Sequence, residues 1–417
     1  MLTTYPPRNG VHNRKAYALN KIIAFFKKEM MLTLALAAAV IALFITPPSK
    51  DLLSGIDWRT LGTLFMMLTV LEGFKQENIF LPFIRFAGRF VTMPGLSFFL
   101  ICCVFFSSMF VTNDVSLIIF VPLTIILFRA GNKEKYILPV ISMENIAAIR
   151  GSLLTPFGSP QNLFLYGRSG VSAPVFMLHM SPLWVTSFIL LFIFVKVLYR
   201  KDPKMAVYED AAGQRAGSGN NVPSGHAGAS STSVEWDPAR KHKRIIYLCL
   251  FVLIVWTIVS RTGYWYISAL VVLAAVLLSD RKILLKTDYV LLATFLCFFI
   301  FSASIAANEK IAGFLTGSVA EHEYWWSILL SQVISNVPAS IVLWPFTKNL
   351  AALLYGLDSA GLCSLIGSLA SVINYRIYVR EYPGNGMRFI KVFTLISWAF
   401  FAIVALPFWW LSGVWRF

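Results

Sequence analysis

Residues 151–162 read Gly151-Ser152-Leu153-Leu154-Thr155-Pro156-Phe157-Gly158-Ser159-Pro160-Gln161-Asn162, and they separate two strongly apolar runs. The two prolines lack amide donors and clash with the preceding helical turn, while the two glycines loosen the backbone. The residue before each proline is also pushed away from helical angles. We therefore predict that a helix breaks here.

The composition indicates that this break lies within a bilayer. Hydrophobic residues make up 57% of the 417 residues, charged residues make up 13%, and the mean hydropathy is +0.70. These values exclude an ordinary soluble globule and predict an all-α polytopic membrane protein. In a membrane, unpaired backbone is tolerated only where it is buried in protein or lines a polar cavity, and broken helices commonly form the binding sites of secondary transporters.

Charge and cysteine usage exclude several other classes. The net charge of +16 comes from bases scattered through short loops, which is typical of positive-inside bias, so we expect no nucleic-acid partner. All five cysteines lie in apolar runs without a CxxC motif, so we expect neither disulfides nor a metal site or cofactor. The Asp-rich or His-rich motifs of membrane-embedded transferases are missing, which argues against an enzyme.

The chain divides into four segments. Residues 1–30 place apolar side chains among lysines, which predicts an amphipathic leader at the cytoplasmic surface with no cleaved signal peptide. Residues 31–199 form a first transmembrane repeat and residues 244–417 a second. Between them, residues 200–243 are rich in Gly and Ser, and we expect a flexible cytoplasmic linker.

Each repeat contains a long apolar run with a polar interruption. The run at about 93–128 is broken at 112–114 by Thr-Asn-Asp, and the run at about 324–350 is broken at 335–338 by Ser-Asn-Val-Pro. One span needs roughly 20 residues, so each run fits a re-entrant hairpin with a polar tip. For the first run, two full crossings are the alternative.

A broken helix follows each hairpin. The first covers 136–166, with the break at Gly151, and the second covers 360–378, where Gly367-Ser368-Leu369 matches Gly151-Ser152-Leu153. The order of elements is therefore duplicated, which is typical of transporter folds.

The distribution of bases predicts the orientation of the two repeats. With the amino terminus inside and both hairpins re-entrant, the chain makes nine crossings and the carboxyl terminus lies outside. Most Lys and Arg residues then lie inside. Because an even number of crossings precedes the first hairpin and an odd number the second, the repeats are inverted.

The two tip asparagines are the first candidates for binding. The amides of Asn113 and Asn336 can bind a cation through oxygen and an anion through nitrogen. Helix termini that meet at a tip add partial charges of both signs. The alternative is that both side chains only cap hairpin helices. The recurrence of Asn at equivalent positions favours binding.

Two charged residues are further candidates. A carboxylate inside a bilayer is costly unless it is solvated, paired or protonated, so Asp114 is a candidate proton or cation site. Arg150 either grips a substrate anion, for which a guanidinium is well suited, or forms a structural pair with Asp114 or Glu144.

The tip Thr112-Asn113-Asp114, the break GSLLTPFGSPQN, and the second-half motifs SNVPA and GSLAS resemble the ion transporter superfamily. The nearer resemblance is to its arsenite-permease and citrate-permease-like branch, which is similar in architecture to the divalent-anion/sodium symporters. The likeness spans nearly the whole chain from about Met31.

This resemblance implies an inverted-repeat fold, commonly dimeric, with a scaffold domain and a transport domain that holds both hairpins. It implies binding of a coupling ion such as Na⁺ and of a carboxylate near Asn113 and Asn336. The tips lack the hydroxyl that follows Asn in sodium-coupled relatives, and Asp114 makes H⁺ an equal candidate. Carried onto this sequence, the candidate site residues are Thr112, Asn113, Asp114, Gly151, Ser152, Thr155, Pro156, Gly158, Asn162, Ser335, Asn336, Gly367, Ser368 and Ser371, with Arg150 as an anion contact.

We therefore expect a secondary active transporter that moves a small carboxylate or oxyanion, coupled to H⁺ or Na⁺, by alternating access. The alternatives are a cation/proton antiporter that uses Asp114 and an arsenite permease, the latter with an ATPase partner as an option. We expect a homodimer in the bilayer of a bacterial cytoplasmic membrane.

Overall fold

The computed structural model describes residues 29–47, 54–79, 86–87, 89–207 and 241–414. Nearly all of the expected leader and most of the expected linker lie outside these ranges. The described helices are α1 Met30–Ile45, α2 Trp58–Gln76, α3 Met93–Val111, α4 Asn113–Ala130, α5 Ile137–Ser152, α6 Pro160–Ser169, α7 Ala173–Leu198, α8 Lys241–Ser260, α9 Trp265–Asp280, α10 Lys282–Lys286, α11 Tyr289–Ala306, α12 Glu309–Val319, α13 Glu323–Ile334, α14 Asn336–Leu343, α15 Leu350–Ala360, α16 Leu369–Glu381 and α17 Gly386–Val414.

The helices have the length and composition of membrane spans. Six of them (α3, α4, α7, α8, α11 and α17) are at least 18 residues long and apolar enough to cross a bilayer, and α1, α9 and α15 are shorter apolar helices. In the described part of the chain, β-structure is limited to one isolated bridge between Thr92 and Ala206. The expectation of an all-α polytopic membrane protein is confirmed.

A scaffold group, formed by α1, α2 and α8–α11, shows the duplication directly. Asp57 caps α2 by accepting the Thr60 amide at 3.0 Å, and Asp288 caps α11 by accepting the Leu291 amide at 2.9 Å. Helix α1 packs on α11 and α2 packs on α9, so each repeat supplies one helix to each pair.

A hairpin group, formed by α3–α7 and α13–α17, contains the two interrupted runs. The hydroxyls of Ser107 and Ser116 lie 2.9 Å apart, which a continuous helix could not achieve, so the chain reverses between α3 and α4. In the second hairpin, Glu323 Oε1 accepts the amides of Lys348 and Asn349 at 3.0 Å. These bonds join the first residue of α13 to the segment that follows α14.

Both broken helices are present, with boundaries that differ from the sequence prediction. The first continues through Ser152 before a break at 153–159, so Gly151 lies in the last helical turn and does not begin the break. The second begins at Leu350, ten residues earlier than predicted, because Asn349 caps α15 by accepting the Ala352 amide at 3.1 Å. Its break covers 361–368.

The loops divide between two faces of the molecule. At the face that holds the open end of the first hairpin, which we call the basic face, Arg129 pairs with Glu381 at 2.8 Å and donates to the Tyr382 hydroxyl at 2.9 Å. At the opposite face, Asn349 Nδ2 donates to the Ser412 carbonyl at 2.9 Å. The open ends of the two hairpins therefore lie at different faces, as an inverted repeat requires.

Candidate functional site

The two hairpin tips share one unusual backbone conformation. Thr112 has φ 70° and ψ 156°, and Ser335 has φ 70° and ψ 158°. Residues other than glycine rarely adopt these angles, at a cost of about 1–3 kcal/mol each. Such strain persists only where the surroundings enforce it, and it is concentrated at functional positions.

Each strained residue is followed at once by the asparagine that begins the next helix. Asn113 and Asn336 are 5% and 2% exposed. Asn113 Oδ1 accepts the Asp114 amide at 3.0 Å. Asn336 donates its backbone amide to the Gly367 carbonyl at 3.2 Å, while its buried side-chain Nδ2 has no hydrogen-bond partner among the described residues. The second tip therefore contacts the second break and keeps an unused donor.

The two breaks correspond in a register that differs from the predicted one. Ser159 and Ser368 are both the N-cap of the following helix, with φ, ψ of −143°, 152° and −147°, 138°. Gly158-Ser159 therefore corresponds to Gly367-Ser368, and Gly151 corresponds to Ala360. The predicted match of Gly151-Ser152-Leu153 to Gly367-Ser368-Leu369 is wrong. Gly151 and Ser152 end helix α5, whereas Ser368 is the N-cap of α16, which begins at Leu369.

A hydroxyl group in each break donates a hydrogen bond to the neighbouring hairpin. Thr155 Oγ1 donates to the Met109 carbonyl at 2.5 Å, and Ser364 Oγ donates to Gln332 Oε1 at 2.6 Å. Met109 and Gln332 each lie four residues before the tip asparagine, and Thr155 and Ser364 each lie three residues before the break glycine. This duplicated hydrogen bond fixes the position of each tip relative to its break.

Glycine is required at the equivalent positions Gly158 and Gly367. A Cβ at Gly158 would overlap the carbonyl oxygen of Ser152, the last residue of α5, and a Cβ at Gly367 would overlap that of Ala360, the last residue of α15. The break folds tightly over the last turn of the preceding helix, so a side chain there would push the two apart.

The first turns of α6 and α16 bind back to their own breaks. Asn162 Nδ2 donates to the Leu153 carbonyl at 3.2 Å, and the equivalent Ser371 Oγ donates to the Gly361 carbonyl at 3.4 Å. Both side chains are buried, and they supply donors to backbone groups that have left the helix.

Hydrogen bonds across the repeats join the two broken helices. Asn145 Nδ2 on α5 donates to Ser371 Oγ on α16 at 3.0 Å, and Gln161 Nε2 on α6 donates to Asp358 Oδ1 on α15 at 3.1 Å. Helix α4 packs on α16, and α14 packs on α6. Each tip helix therefore rests on the broken helix of the other repeat.

Arg150 is fully buried, and neither of its predicted partners pairs with it. Its three guanidinium nitrogens have no hydrogen-bond partner among the described residues, and the group lies 5.7 Å from the Phe400 ring. Glu144 instead accepts the Thr124 hydroxyl at 2.5 Å. The carboxylate that acts electrostatically on Arg150 is Asp358, from the second repeat.

Asp114 lies in the first turn of α4, beside the first tip. Its Oδ1 is buried and accepts no hydrogen bond from the described residues. The charged groups that act on it are Asp288 and Lys75, both in the scaffold group. Asp114 therefore lies where the hairpin group meets the scaffold.

The arrangement can recognise ions of either sign. Helices α4, α6, α14 and α16 begin at the two tips and two breaks, and the amino termini of helices attract anions. Helices α3, α5, α13 and α15 end there, and their carbonyl groups attract cations. Across the described ranges, no three His, Cys, Asp or Glu side chains gather as a metal site would require.

The predicted site residues fall into two connected groups, one in each repeat. Thr112, Asn113 and Asp114 form the first tip, and Ser335 and Asn336 form the second. The remaining residues lie in or beside the breaks: Arg150, Gly151 and Ser152 in the last turn of α5, Thr155, Pro156 and Gly158 in the first break, Asn162 in the first turn of α6, Gly367 and Ser368 in the second break, and Ser371 in the first turn of α16.

Sequence reasoning missed Asp358, Gln161 and Gln332. Asp358 is a carboxylate in an apolar helix, the same signal that singled out Asp114. Gln332 precedes the tip asparagine by one helical turn. Gln161 lies within residues 151–162, but its role depends on contact with the other repeat, which no local pattern reveals.

Comparison with known proteins agrees with this architecture. The family model described as citrate transporter (CitMHS) matches residues 20–367. The inner membrane protein YbiR of Escherichia coli (strain K12) is 30% identical over 82% of this chain and 86% of its own length. The uncharacterized transporter MJ0456 of Methanocaldococcus jannaschii is 28% identical over 77% of this chain and 81% of its own.

A solved structure has a similar fold. The YdaH transporter of Alcanivorax borkumensis, described as having an unusual topology, aligns with a TM-score of 0.53 over 93% of this chain and 96% of its own, at 13% sequence identity. The family match covers most of the sequence and spans both tips and the first break. The chain is an integral membrane transporter, not an enzyme, and it belongs to the citrate transporter family.

Proposed function

We propose that this protein is a secondary active transporter that moves a small anion, a carboxylate or an oxyanion, by alternating access around the two tips and two breaks. The observation that carries the proposal is the pair of identically strained tips, Thr112 and Ser335, each followed by a buried asparagine. Strain kept at both equivalent positions is expected of a site and not of two unrelated helix caps.

The contacts between the scaffold and hairpin groups support alternating access. At the opposite face, Arg168 pairs with Asp57 at 2.9 Å, and Arg261 donates to the Tyr166 carbonyl at 2.6 Å. We call these four residues the seam. At the basic face, the equivalent helices α11 and α16 share no hydrogen bond or ion pair within the described residues. A conformation closed at one face is what alternating access requires.

Orientation and assembly are part of the same proposal. Positive-inside bias places the basic face in the cytoplasm, with the amino terminus inside and the carboxyl terminus outside, in a bacterial cytoplasmic membrane. In that orientation the seam closes the external side. A homodimer would hold the two scaffold groups still while the hairpin groups move.

The test is uptake into proteoliposomes under an imposed H⁺ or Na⁺ gradient, with a panel of carboxylates and oxyanions. Asn113→Ala and Asn336→Ala should each reduce uptake at least tenfold, because each removes an amide that contacts the ion or substrate. Asn308→Ala is the matched control, since Asn308 caps α12 by accepting the Ile311 amide at 3.2 Å and lies away from the tips.

The control separates binding from capping. If the tip asparagines only cap helices, all three variants would lose about 0.5–2 kcal/mol of stability and transport equally well per folded molecule. That result would refute the site assignment.

A second candidate function is cation/proton antiport through Asp114. The observation that favours it is the buried Oδ1, which has no donor among the described residues and therefore suits a proton or a cation. Sodium-dependent dequenching of a pH dye inside proteoliposomes, abolished by Asp114→Asn, would support it. Anion uptake that survives Asp114→Asn would leave symport as the better description. Resistance of an arsenite-sensitive host would be the sign of an arsenite permease.

A further inference from the structure

A cavity of about 280 Å³ opens at the opposite face, between α2, α6 and α8. Its polar lining includes Asp57, Arg59, Thr60, Tyr166 and Arg168. Helices α2 and α8 belong to the scaffold group and α6 to the hairpin group, so the cavity lies on the seam. It is separate from the tips and breaks that form the candidate transport site.

Asp57, the one carboxylate among the described lining residues, already accepts three hydrogen bonds. Asp57 Oδ1 accepts the Thr60 amide at 3.0 Å, and its Oδ2 accepts the Thr60 hydroxyl and Arg168 Nε, both at 2.9 Å. Its one ion pair with the described residues is with Arg168, and it acts on Arg59 only at longer range. Its role is to cap α2 and to orient Arg168.

The arginines exceed the carboxylates around this cavity. Arg168 uses only Nε on Asp57, and its two terminal nitrogens form no hydrogen bond with the described residues. Arg59 forms no ion pair with a carboxylate in the described part of the chain. Asp57 attracts it without direct contact, and Arg261 acts on it as a like charge. Among the described residues, three guanidinium groups thus lie near one carboxylate, so the described side chains around the cavity carry a net positive charge.

We propose that this cavity is a peripheral anion site that takes a small oxyanion group, a carboxylate or a phosphate, between Arg59 and Arg168. Guanidinium groups present planar pairs of donors that match such groups. The apolar part of the lining, Ile56, Leu163 and Ile258, excludes water from one side and strengthens the electrostatic attraction.

Occupancy of this site acts on the seam. An anion held by Arg59 of α2 and Arg168 at the end of α6 joins the scaffold group to the hairpin group, and a ligand that binds only the closed seam stabilises it by mass action. Its use as the first contact for a transported anion rests on the proposed function. The binding itself does not.

The test measures stabilisation by inorganic phosphate, and separately by citrate, in full-length protein reconstituted into nanodiscs at constant ionic strength. We expect a saturable rise in unfolding temperature. Arg59→Gln should raise the half-saturating concentration about tenfold or more, because it removes a charge-assisted hydrogen bond. Arg376→Gln, which removes an exposed arginine near the basic face, is the matched control and should leave it unchanged.

A second variant protects the test against misfolding of Arg59→Gln. The Cβ of a side chain at Gly167 would have Thr60 Oγ1 as its nearest neighbour, at 3.7 Å. Gly167→Leu therefore fits the backbone and fills the cavity without removing a charge. It should abolish the response to phosphate as well.

The outcomes separate this site from the transport site. In the double variant Asn113→Ala with Asn336→Ala, the stabilisation should persist. If it disappears there and survives in Arg59→Gln, the anion binds only at the tips and the peripheral site is refuted while the proposed function stands. If proteoliposomes fail to transport while the Arg59-dependent stabilisation persists, the proposed function fails and the peripheral site stands.

The lipid composition of the nanodiscs identifies the source of the anion. A higher half-saturating phosphate concentration in phosphatidylglycerol than in phosphatidylcholine indicates that a lipid phosphate competes for the site. Equal values indicate a free anion. Both results support an oxyanion site, and an unchanged response in both Arg59→Gln and Gly167→Leu overturns it.

Discussion

The two broken helices share one backbone design and differ in the side chains that fill it. Both have a serine N-cap, a glycine at which a side chain would overlap the backbone, and a hydroxyl that donates a hydrogen bond to the hairpin. The first break is nearly all buried, and its Phe157 contacts the Phe251 ring with centroids 6.5 Å apart. The equivalent Ile366 is 51% exposed.

The polar content of the two breaks also differs. The first repeat places the buried Arg150 where the second has Ser359, and it has Pro156 and Pro160 where the second has leucines. The equivalent N-cap serines and glycines therefore keep the backbone geometry of the break the same in both repeats. The arginine and the two prolines, which only the first repeat has at these positions, make the two halves of the site chemically different.

The largest effect is expected from the charge that only the first repeat carries. Arg150→Met should destabilise the fold by about 3–5 kcal/mol, because it leaves the buried Asp358 without a compensating cation. The double variant with Asp358→Asn should recover most of that loss, since neither charge then remains. Unfolding in detergent titrations measures both values.

Ser359→Ala is the matched control for Arg150, because Ser359 is the equivalent buried position in the second repeat. It should change the free energy of unfolding by less than about 1 kcal/mol. A double variant as unstable as the sum of the two single variants would show that Arg150 and Asp358 do not interact.

The glycines of the two breaks should behave alike. Gly158→Ala and Gly367→Ala should each cost about 1–3 kcal/mol, because the added Cβ meets a backbone oxygen that cannot move aside. Gly313→Ala in α12 is the control: nothing lies within 4 Å of its Cβ position, and alanine there should stabilise the helix by about 0.5–1 kcal/mol. Thermal unfolding measures all three.

Seven residues before these glycines, at Gly151 and the equivalent Ala360, substitutions should differ in their cost to stability. A Cβ at Gly151 would overlap the Phe105 carbonyl oxygen, whereas the equivalent Ala360 already has one. We expect Gly151→Ala to be as costly as Gly158→Ala, and Ala360→Gly to cost no more than about 1 kcal/mol. Equal costs would mean that each hairpin packs equally closely against its broken helix in the two repeats.

The strained tips should gain stability from glycine. Thr112→Gly and Ser335→Gly should each stabilise the protein by about 1 kcal/mol, because glycine adopts a positive φ without a steric penalty. The gain should be larger at Thr112, since β-branched residues tolerate this region least. Thr92→Gly, at a position with φ −108°, is the control and should destabilise the fold. A loss of stability at both tips would show that the backbone there is unstrained.

Local chemistry explains which parts of this architecture could be predicted from the sequence. Proline, glycine and asparagine in apolar runs act on their own backbone, so the tips at Asn113 and Asn336 and both breaks were visible in advance. The register of the breaks was not, because Gly-Ser-Leu has no fixed place relative to the end of a helix. The contact of Gln161 with Asp358 joins residues 197 positions apart and follows only from the exchange of helices between repeats.

The smallest effect is expected at the seam, where the duplicated aspartates Asp57 and Asp288 differ in their partners. Both cap a helix, but within the described ranges only Asp57 also binds an arginine, Arg168, whose side chain is 38% exposed. Exposed pairs contribute about 0.2–1 kcal/mol, so Arg168→Asp should shift the closed seam toward opening by about two- to fivefold. The measurement is the rate at which a membrane-impermeant thiol reagent modifies Thr63→Cys, in a background without the native cysteines.

The charge swap decides whether the pair itself closes the seam. Asp57→Arg combined with Arg168→Asp keeps two opposite charges at the same positions but removes the cap of α2, so it should restore the slow modification rate if the ion pair closes the seam. Asp288→Asn should leave the rate unchanged, because Asp288 caps α11 and forms no ion pair across the seam within the described residues. If Asp288→Asn opened the seam as far as Arg168→Asp did, helix capping and not the ion pair would be the cause. The difference between the two faces would then lie in the scaffold group.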